Sequence, residues 1–269
     1  MKLEFKISAL PRDKRNILLL ACPEPSLAGV IAVEYIIDSL KMEEIGAIRI
    51  PELPPAIAVV NGVAKLPHRI FYNKDLGILA IRQHMPIPPQ IYAEFINKIL
   101  DWAEENKVRD VICLSATASL GGEASDAVYF VTEEHLVDRF KSYGLEPLKE
   151  ATVTGLEGAF LDAVLGRSID GALLLAESRL LTAVKRLVES GRVSSHRDVM
   201  LILNDLVGKV GPDVAAALKL INSVAKIAGV QIDVAKLEEH AQRYAFLVEK
   251  NIEALIQPQQ PKREIPLMI

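Results

Sequence analysis

Two short loops hold the residues best suited to grip a ligand: Pro23 to Gly29, with Ser26 and Gly29, and Ser115 to Gly122, with Ser115, Thr117, Gly121 and Gly122. Each follows an apolar run that reads as a buried strand, and in open α/β sheets ligands sit beyond the carboxyl ends of strands. Small, hydroxyl-bearing and glycine residues let backbone amides close on an anion. The competing reading is a pair of tight turns whose glycines allow positive φ and close packing.

Stronger chemical motifs are missing. A Walker-type phosphate loop needs glycine-rich backbone followed by Lys and Ser or Thr, and the Rossmann turn needs three spaced glycines. Pro25-Ser26-Leu27-Ala28-Gly29 offers one glycine alone. The histidines His68, His84, His135, His196 and His240 are scattered, with no two at helical i, i+4 spacing, and neither cysteine has a neighbour at ligand spacing, so no metal is expected. His84 with Asp75 or Glu123 could be written as a general base and its orienter, but no spacing supports that set, and a surface or interface histidine is the simpler assignment. No catalytic residue and no cofactor are expected.

Hydrophobic residues make up 50% of the 269 and charged residues 25%, enough to bury a substantial core. A net charge of −4 gives no broad attraction to phosphate backbones or anionic lipid, which argues against nucleic acid as partner. Cys22 and Cys113 each lie in or beside an apolar run, as reduced buried thiols do, and a cytosolic setting fits them best. Residues 1–10 interleave Lys2, Glu4 and Lys6 with apolar residues, unlike a signal peptide, and no apolar run approaches a membrane span.

The elements that must position these loops follow from periodicity. Asn16 to Cys22 and Asp110 to Ser115 read as strands buried on both faces. Between them come a helix from Leu27 to Leu40 with Ser26 as N-cap, a strand from Ile45 to Ile50, an Asn61-Gly62 hairpin, strands near Ile70 to Tyr72 and Leu76 to Ile81, and a helix ending at Asn106. The first helix is apolar on most sides, which suggests that a second subunit covers part of it. Strands are expected at Val128 to Val131, Ala151 to Thr154 and Ile169 to Leu175, with helices at Glu133 to Tyr143 and Leu156 to Leu165.

This order predicts a sheet with helices on both faces over residues 1–177, an all-helical region at 178–256 and a Pro-rich tail at 257–269. In the last helix Val234, Leu237, Ala241, Tyr244, Val248, Ile252 and Leu255 recur at steps of three and four, with Ile232 and Leu237 able to staple around the N-cap Asp233. That stripe is either intramolecular core or an inter-subunit seam.

Several segments in order carry a family resemblance across nearly the whole chain. They are Ala21 to Leu40 with Gly29; Pro54-Pro55, the Asn61-Gly62 hairpin and Leu66-Pro67; Gln83 and Pro86 before the Ile91 to Trp102 helix; Val111 to Gly122; Thr154 to Gly158; Leu174 to Glu177; and Pro212 to Ala216 leading into Ile232-Asp233. Together they resemble the proteasome assembly chaperone 2 family.

The resemblance implies a three-layer α/β/α sandwich similar to purine nucleoside phosphorylases, with a helical C-terminal extension. It also implies no established catalytic residues and self-assembly into a homo-oligomer, trimer to pentamer. Archaeal members resemble chaperones of 20S proteasome assembly, whose α-subunits are the partner implied. Some members dock through a C-terminal hydrophobic-Tyr-any tripeptide; this chain ends Leu267-Met268-Ile269, with Met268 where Tyr is expected. Residues 179–211 read as an added helix pair relative to that pattern. The alternative to an assembly factor is a nucleotide- or nucleoside-binding enzyme, phosphorylase-like or ATP-grasp-like, using the two loops.

Overall fold

Aliphatic runs without alternation form the centre of the sheet. The computed structural model describes residues 4–7, 16–51, 53–122 and 124–256. Among them β2 (Asn16–Ala21), β8 (Val108–Thr117) and β11 (Asp170–Glu177) run parallel in that spatial order. Their side chains divide by parity between two cores: Leu18, Leu20 and Cys22 face one, Leu19 and Ala21 the other. Strands buried on both faces need no polar alternation.

On one side of β2 lies an antiparallel flank built from β1 (Glu4–Ile7), β3 (Glu43–Arg49), β6 (His68–Asn73) and β7 (Ile78–Gln83), with β7 parallel to β2. On the other side of β11 lie β9 (Val128–Thr132) and the short β10 (Glu146–Pro147). The spatial order is β1-β3-β6-β7-β2-β8-β11-β9-β10. The Asn61-Gly62 turn, at φ 50° and 79°, joins β4 (Ala58–Val60) to β5 (Val63–Lys65), and this hairpin forms a sheet of its own outside the main one.

Helices α2 (Tyr92–Glu105) and α4 (Gly155–Val164) cover one face, with Phe95, Ile99, Leu100 and Phe160 wholly buried. Helix α1 (Ala28–Ser39), the short α3 (Val137–Ser142) and α7 (Val214–Ala228) cover the other. Helices α5 (Arg179–Glu189), α6 (His196–Val210) and α8 (Ala235–Ile256) complete the C-terminal part, where Leu180, Val184, Leu203 and Leu206 make a small core of their own. The fold is an α/β sandwich with a helical C-terminal part.

Three expectations change. No strand forms at Ala151 to Thr154; β10 takes the pairing edge of β9 instead, and the carbonyl of Val153 passes so near α4 that a Cβ on Gly158 would lie 2.8 Å from it. The apolar surface of α1 is covered by the chain itself. Ala216, Ala217, Leu220 and Ile221 of α7 share its core, and Tyr35 donates to the carbonyl of Asp233 at 2.7 Å, so a second subunit is not needed there. Because α7 lies in the same core as β2, β8 and β11, the helices after Glu177 are part of the sandwich's packing and not only an appendage to it.

The approach of α1 to β8 is set by Gly29, where an added Cβ would stand 2.1 Å from the carbonyl oxygen of Leu114. Both partners are backbone and neither can yield locally. Gly29→Ala is expected to lose about 3 kcal/mol in urea unfolding; a loss near zero would mean that the helix and strand do not meet there.

Candidate functional site

A cleft of about 630 Å³ opens at the carboxyl ends of β2 and β8. The chain leaves β2 by α1 over one face toward the antiparallel flank, while α2 crosses the other face to reach β8. Divergence of connections at neighbouring strands leaves a crevice at their ends, where α/β proteins bind ligands. Cys22 to Pro25, Tyr92, Ala116, Thr117 and Leu120 line it, facing Leu148, Leu175 and residues 151–157.

The first candidate loop is organised by Glu24. Its carboxyl accepts the N–H of Ser26 and, at 2.7 Å, that of Ala28, so Glu24 rather than Ser26 closes the N-terminus of α1. Leu27 sits at the cap position in the left-handed region at φ 59°. Carboxylates are favoured at helix N-termini by the free amides and the dipole. Burial nevertheless raises the Glu24 carboxyl to about 7 against these hydrogen bonds, and the Asp213 carboxyl adds to the rise. Ser26 is wholly buried and does not line the cleft, and its carbonyl accepts the N–H of Asp213 at 2.8 Å. Gly29 is a packing residue against Leu114.

The second loop does hold an anion, and the anion belongs to the chain. The Glu177 carboxylate at the end of β11 accepts the N–H of Leu120 at 3.2 Å, the N–H and hydroxyl of Ser125 at 2.6 and 2.9 Å, and the hydroxyl of Tyr129 at 2.9 Å. Burial works to raise Glu177, but these donors outweigh it and hold the carboxyl below its ordinary value. The Tyr129 phenol is pushed up to about 12, by burial first and then by the same bond. Gly121 donates its N–H to Ser119 Oγ within the loop, and from α5 the Arg186 guanidinium donates to the carbonyl of Gly122 at 2.6 Å. Thr117 reaches the cleft, and Ser115 donates to Glu157 at 2.8 Å.

The same junction ties in the C-terminal helices. Ser178 caps α5 and donates to Asp213 Oδ2 at 2.6 Å, while Asp213 caps α7 through the N–H of Ala216 at 2.9 Å. Lys219 donates to the carbonyls of Ser125 and Glu177. Tyr244 of α8 is buried nearby; burial and the carboxyls of Asp213 and Glu24 push its phenol up.

Other candidates stand apart. In the last helix's stripe Leu237, Ala241, Tyr244 and Val248 are buried within the chain, and Val234 packs against the same core, so these residues are intramolecular core and not an exposed seam. The side chain of Ile252 and the tail with Leu267, Met268 and Ile269 lie outside the described residues. His84 meets Arg69 at 2.8 Å and is depressed by burial and by Arg69 and Arg82; Asp75 sits at the far end of β6 and β7, and Glu123 is outside the described residues. Among the described residues no group of His, Cys, Asp and Glu is placed to hold a metal ion, and no helix is long and apolar enough to cross a membrane. Sequence reasoning missed Glu24, Glu157 and Glu177; the available signals were an acidic residue just beyond or at the end of the β2 and β11 apolar runs and one in the first turn of α4.

The sequence matches the PAC2 family over residues 18–252. No curated protein sequence matches significantly. Among solved structures, the chain is similar to Pyrococcus furiosus PbaA, described as an archaeal homolog of proteasome-assembly chaperone, at 19% identity and TM-score 0.69 over 94% of this chain and 97% of that one. It is similar to P. furiosus PbaB, an archaeal proteasome activator, at 21% identity and TM-score 0.69 over 93% and 98%. A Mycobacterium tuberculosis proteasome-assembly chaperone homologue matches at 17% identity and TM-score 0.58 over 90% and 96%.

Glu24 makes stability depend on pH. Folded, it keeps its proton up to about pH 7; at its ordinary value of 4.5 it would release it earlier. Its contribution is therefore fully present below pH 4.5 and is lost as pH rises through about 7, a change of ~3 kcal/mol. His68, lowered by burial to about 4, works in the opposite sense over part of that range, so the comparison must be differential. The unfolding free energy of Glu24→Gln minus that of the unaltered chain is expected to climb by ~3 kcal/mol between pH 4.5 and 8 in urea titrations. A pH-independent difference would rule out a buried, raised carboxyl.

Proposed function

The chain belongs to the PAC2 family, and on that footing we propose that it is a non-enzymatic assembly factor acting through protein surfaces as a homo-oligomer, trimer to pentamer. The observation that carries this reading is the β4–β5 hairpin. Val59 and Val63 are 73% and 54% exposed on a two-stranded sheet that no other strand among the described residues extends, and Ile57 just before it is 59% exposed. An isolated hairpin is marginal in water, and clustered exposed apolar side chains mark interaction surfaces. Beneath it Ile48, Ile50, Leu53, Pro54 and Leu66 line an apolar groove of about 220 Å³.

The likeness to PbaA, PbaB and the mycobacterial homologue supports a proteasome-related partner; the partner proposed is the 20S proteasome α-subunits, with Leu267, Met268 and Ile269 as the candidate docking end. The nucleotide- or nucleoside-binding alternative receives little support. In the second loop the Leu120 amide is taken by Glu177 and those of Ser119 and Gly121 by the hydroxyls of Thr182 and Ser119, and the described lining of the cleft holds Glu24 and Glu157 but no Lys, Arg or His to meet a phosphate.

In sedimentation velocity the chain is expected to run as a trimer to pentamer, and Val59→Lys with Val63→Lys to shift it toward monomer without loss of helical circular dichroism. A monomer at every concentration would sink the oligomer reading. Capture by 20S α-subunits is expected to be lost on removing residues 257–269; capture that survives the truncation would remove the tail as anchor.

A further inference from the structure

The cleft beyond β2 and β8 has a chemical character of its own. At about 630 Å³ it falls within the range of small-ligand sites, and its walls are mostly apolar with a few converging polar groups, as such sites are. Those polar groups are of one kind. Glu24 and Glu157 bring carboxyls, Tyr92, Thr117 and Thr154 bring hydroxyls, and no described lining residue carries a positive charge.

The two sources of positive potential that such a cleft usually offers are already engaged. The amides that open α1 are held by Glu24, and the loop amides after β8 are held by Glu177. At the third, the N-terminus of α4, Glu157 lies in the first turn, with Oε2 3.1 Å from where a Cβ on Gly155 would stand. Glu157 has Ser115 as its hydrogen-bond donor on Oε1, and Oε2 has no hydrogen-bond partner among the described residues. Tyr92 beside it has its phenol raised by burial first and then by Glu157.

From this geometry we infer that the cleft binds a primary ammonium group on an aliphatic stem, with Glu157 as the anionic partner and Leu120, Leu148, Val153 and Leu175 as the apolar channel for the stem. The ammonium is a compact donor of three hydrogen bonds, and a flexible methylene stem buries against aliphatic walls while its head stays polar. A free alkylamine and the side chain of a lysine present the same chemistry. The inference stands apart from the assembly reading, which uses the hairpin on the antiparallel flank.

The test is thermal shift and calorimetric titration of the full chain with n-butylamine, 1,5-diaminopentane and Nα-acetyl-lysine N-methylamide, beside pentanoate and inorganic phosphate as controls. The amines are expected to bind saturably and the two anions to give no shift. Glu157→Gln is expected to weaken the amines about tenfold or more. Leu120→Trp, at a position 53% exposed and therefore tolerant of size, is expected to block them while leaving the unliganded melting temperature unchanged. Tighter binding of the lysine derivative than of the free amines assigns the site to a protein segment, and the reverse order to a free amine; either upholds the site. No saturable shift from any amine up to about 10 mM, or affinities untouched by both substitutions, would overturn it.

Discussion

A carboxylate withdrawn from water must be surrounded by donors, and at the end of β11 that demand shapes the whole C-terminal face of the sheet. Glu177 is 2% exposed, and it is met by the loop that follows β8, by Tyr129 of β9 and, through its own carbonyl, by Lys219 of α7. One residue further on, Ser178 turns the chain into α5 and binds Asp213, which starts α7 and reaches back to the carbonyl of Ser26. Loops after β2, β8 and β11 and the start of α7 are thereby fixed relative to one another. Disturbing any one of them leaves another buried polar group unpaired, at a cost larger than the bond itself contributes.

That junction explains why the C-terminal helices behave as part of the sandwich. With Asp213 held in place, α7 lies along α1 and supplies Ala216, Ala217, Leu220 and Ile221 to the core under the sheet. Small residues at the contact let the two helices approach closely, and Gly29 lets α1 settle onto the backbone of β8. The apolar excess of α1, which on its own suggests a missing subunit, is thus consumed within one chain. The proposed self-association would use other surfaces, and the hairpin on the antiparallel flank offers exposed apolar side chains, Val59 and Val63.

Much of this was legible in the residues. The strands β2, β8 and β11 announce themselves because strands buried on both faces lack polar alternation, and Asn61-Gly62 marks its hairpin because both positions need positive φ. Edges were less legible. Ala151 to Thr154 has the composition of a strand, but strand pairing depends on which edge is free, and β10 had taken it. The caps were misread for a related reason. Ser26 has the local signature of an N-cap, yet Glu24 fills that role from two residues upstream, which only the left-handed turn at Leu27 permits. Glu177 and the amides it binds lie more than fifty residues apart, and no local pattern records such a pairing.

The two halves of the sheet are consequently unlike in kind. The parallel half spends its polar groups on each other, and what remains open is an apolar cleft edged by Glu24 and Glu157. On the antiparallel half Arg69 and Arg82 stand over the Phe71 ring at 5.3 and 4.8 Å, with Glu44 meeting Arg69 and Glu34 and Asp38 of α1 meeting Arg82. A guanidinium stacked on an aromatic ring shields apolar surface while keeping it able to meet a polar partner. On the same flank the hairpin carries Val59, 73% exposed. Under the proposed assembly role, the polar groups of the parallel half hold its loops in one arrangement, and the exposed apolar side chains of the hairpin are the surface another chain would cover.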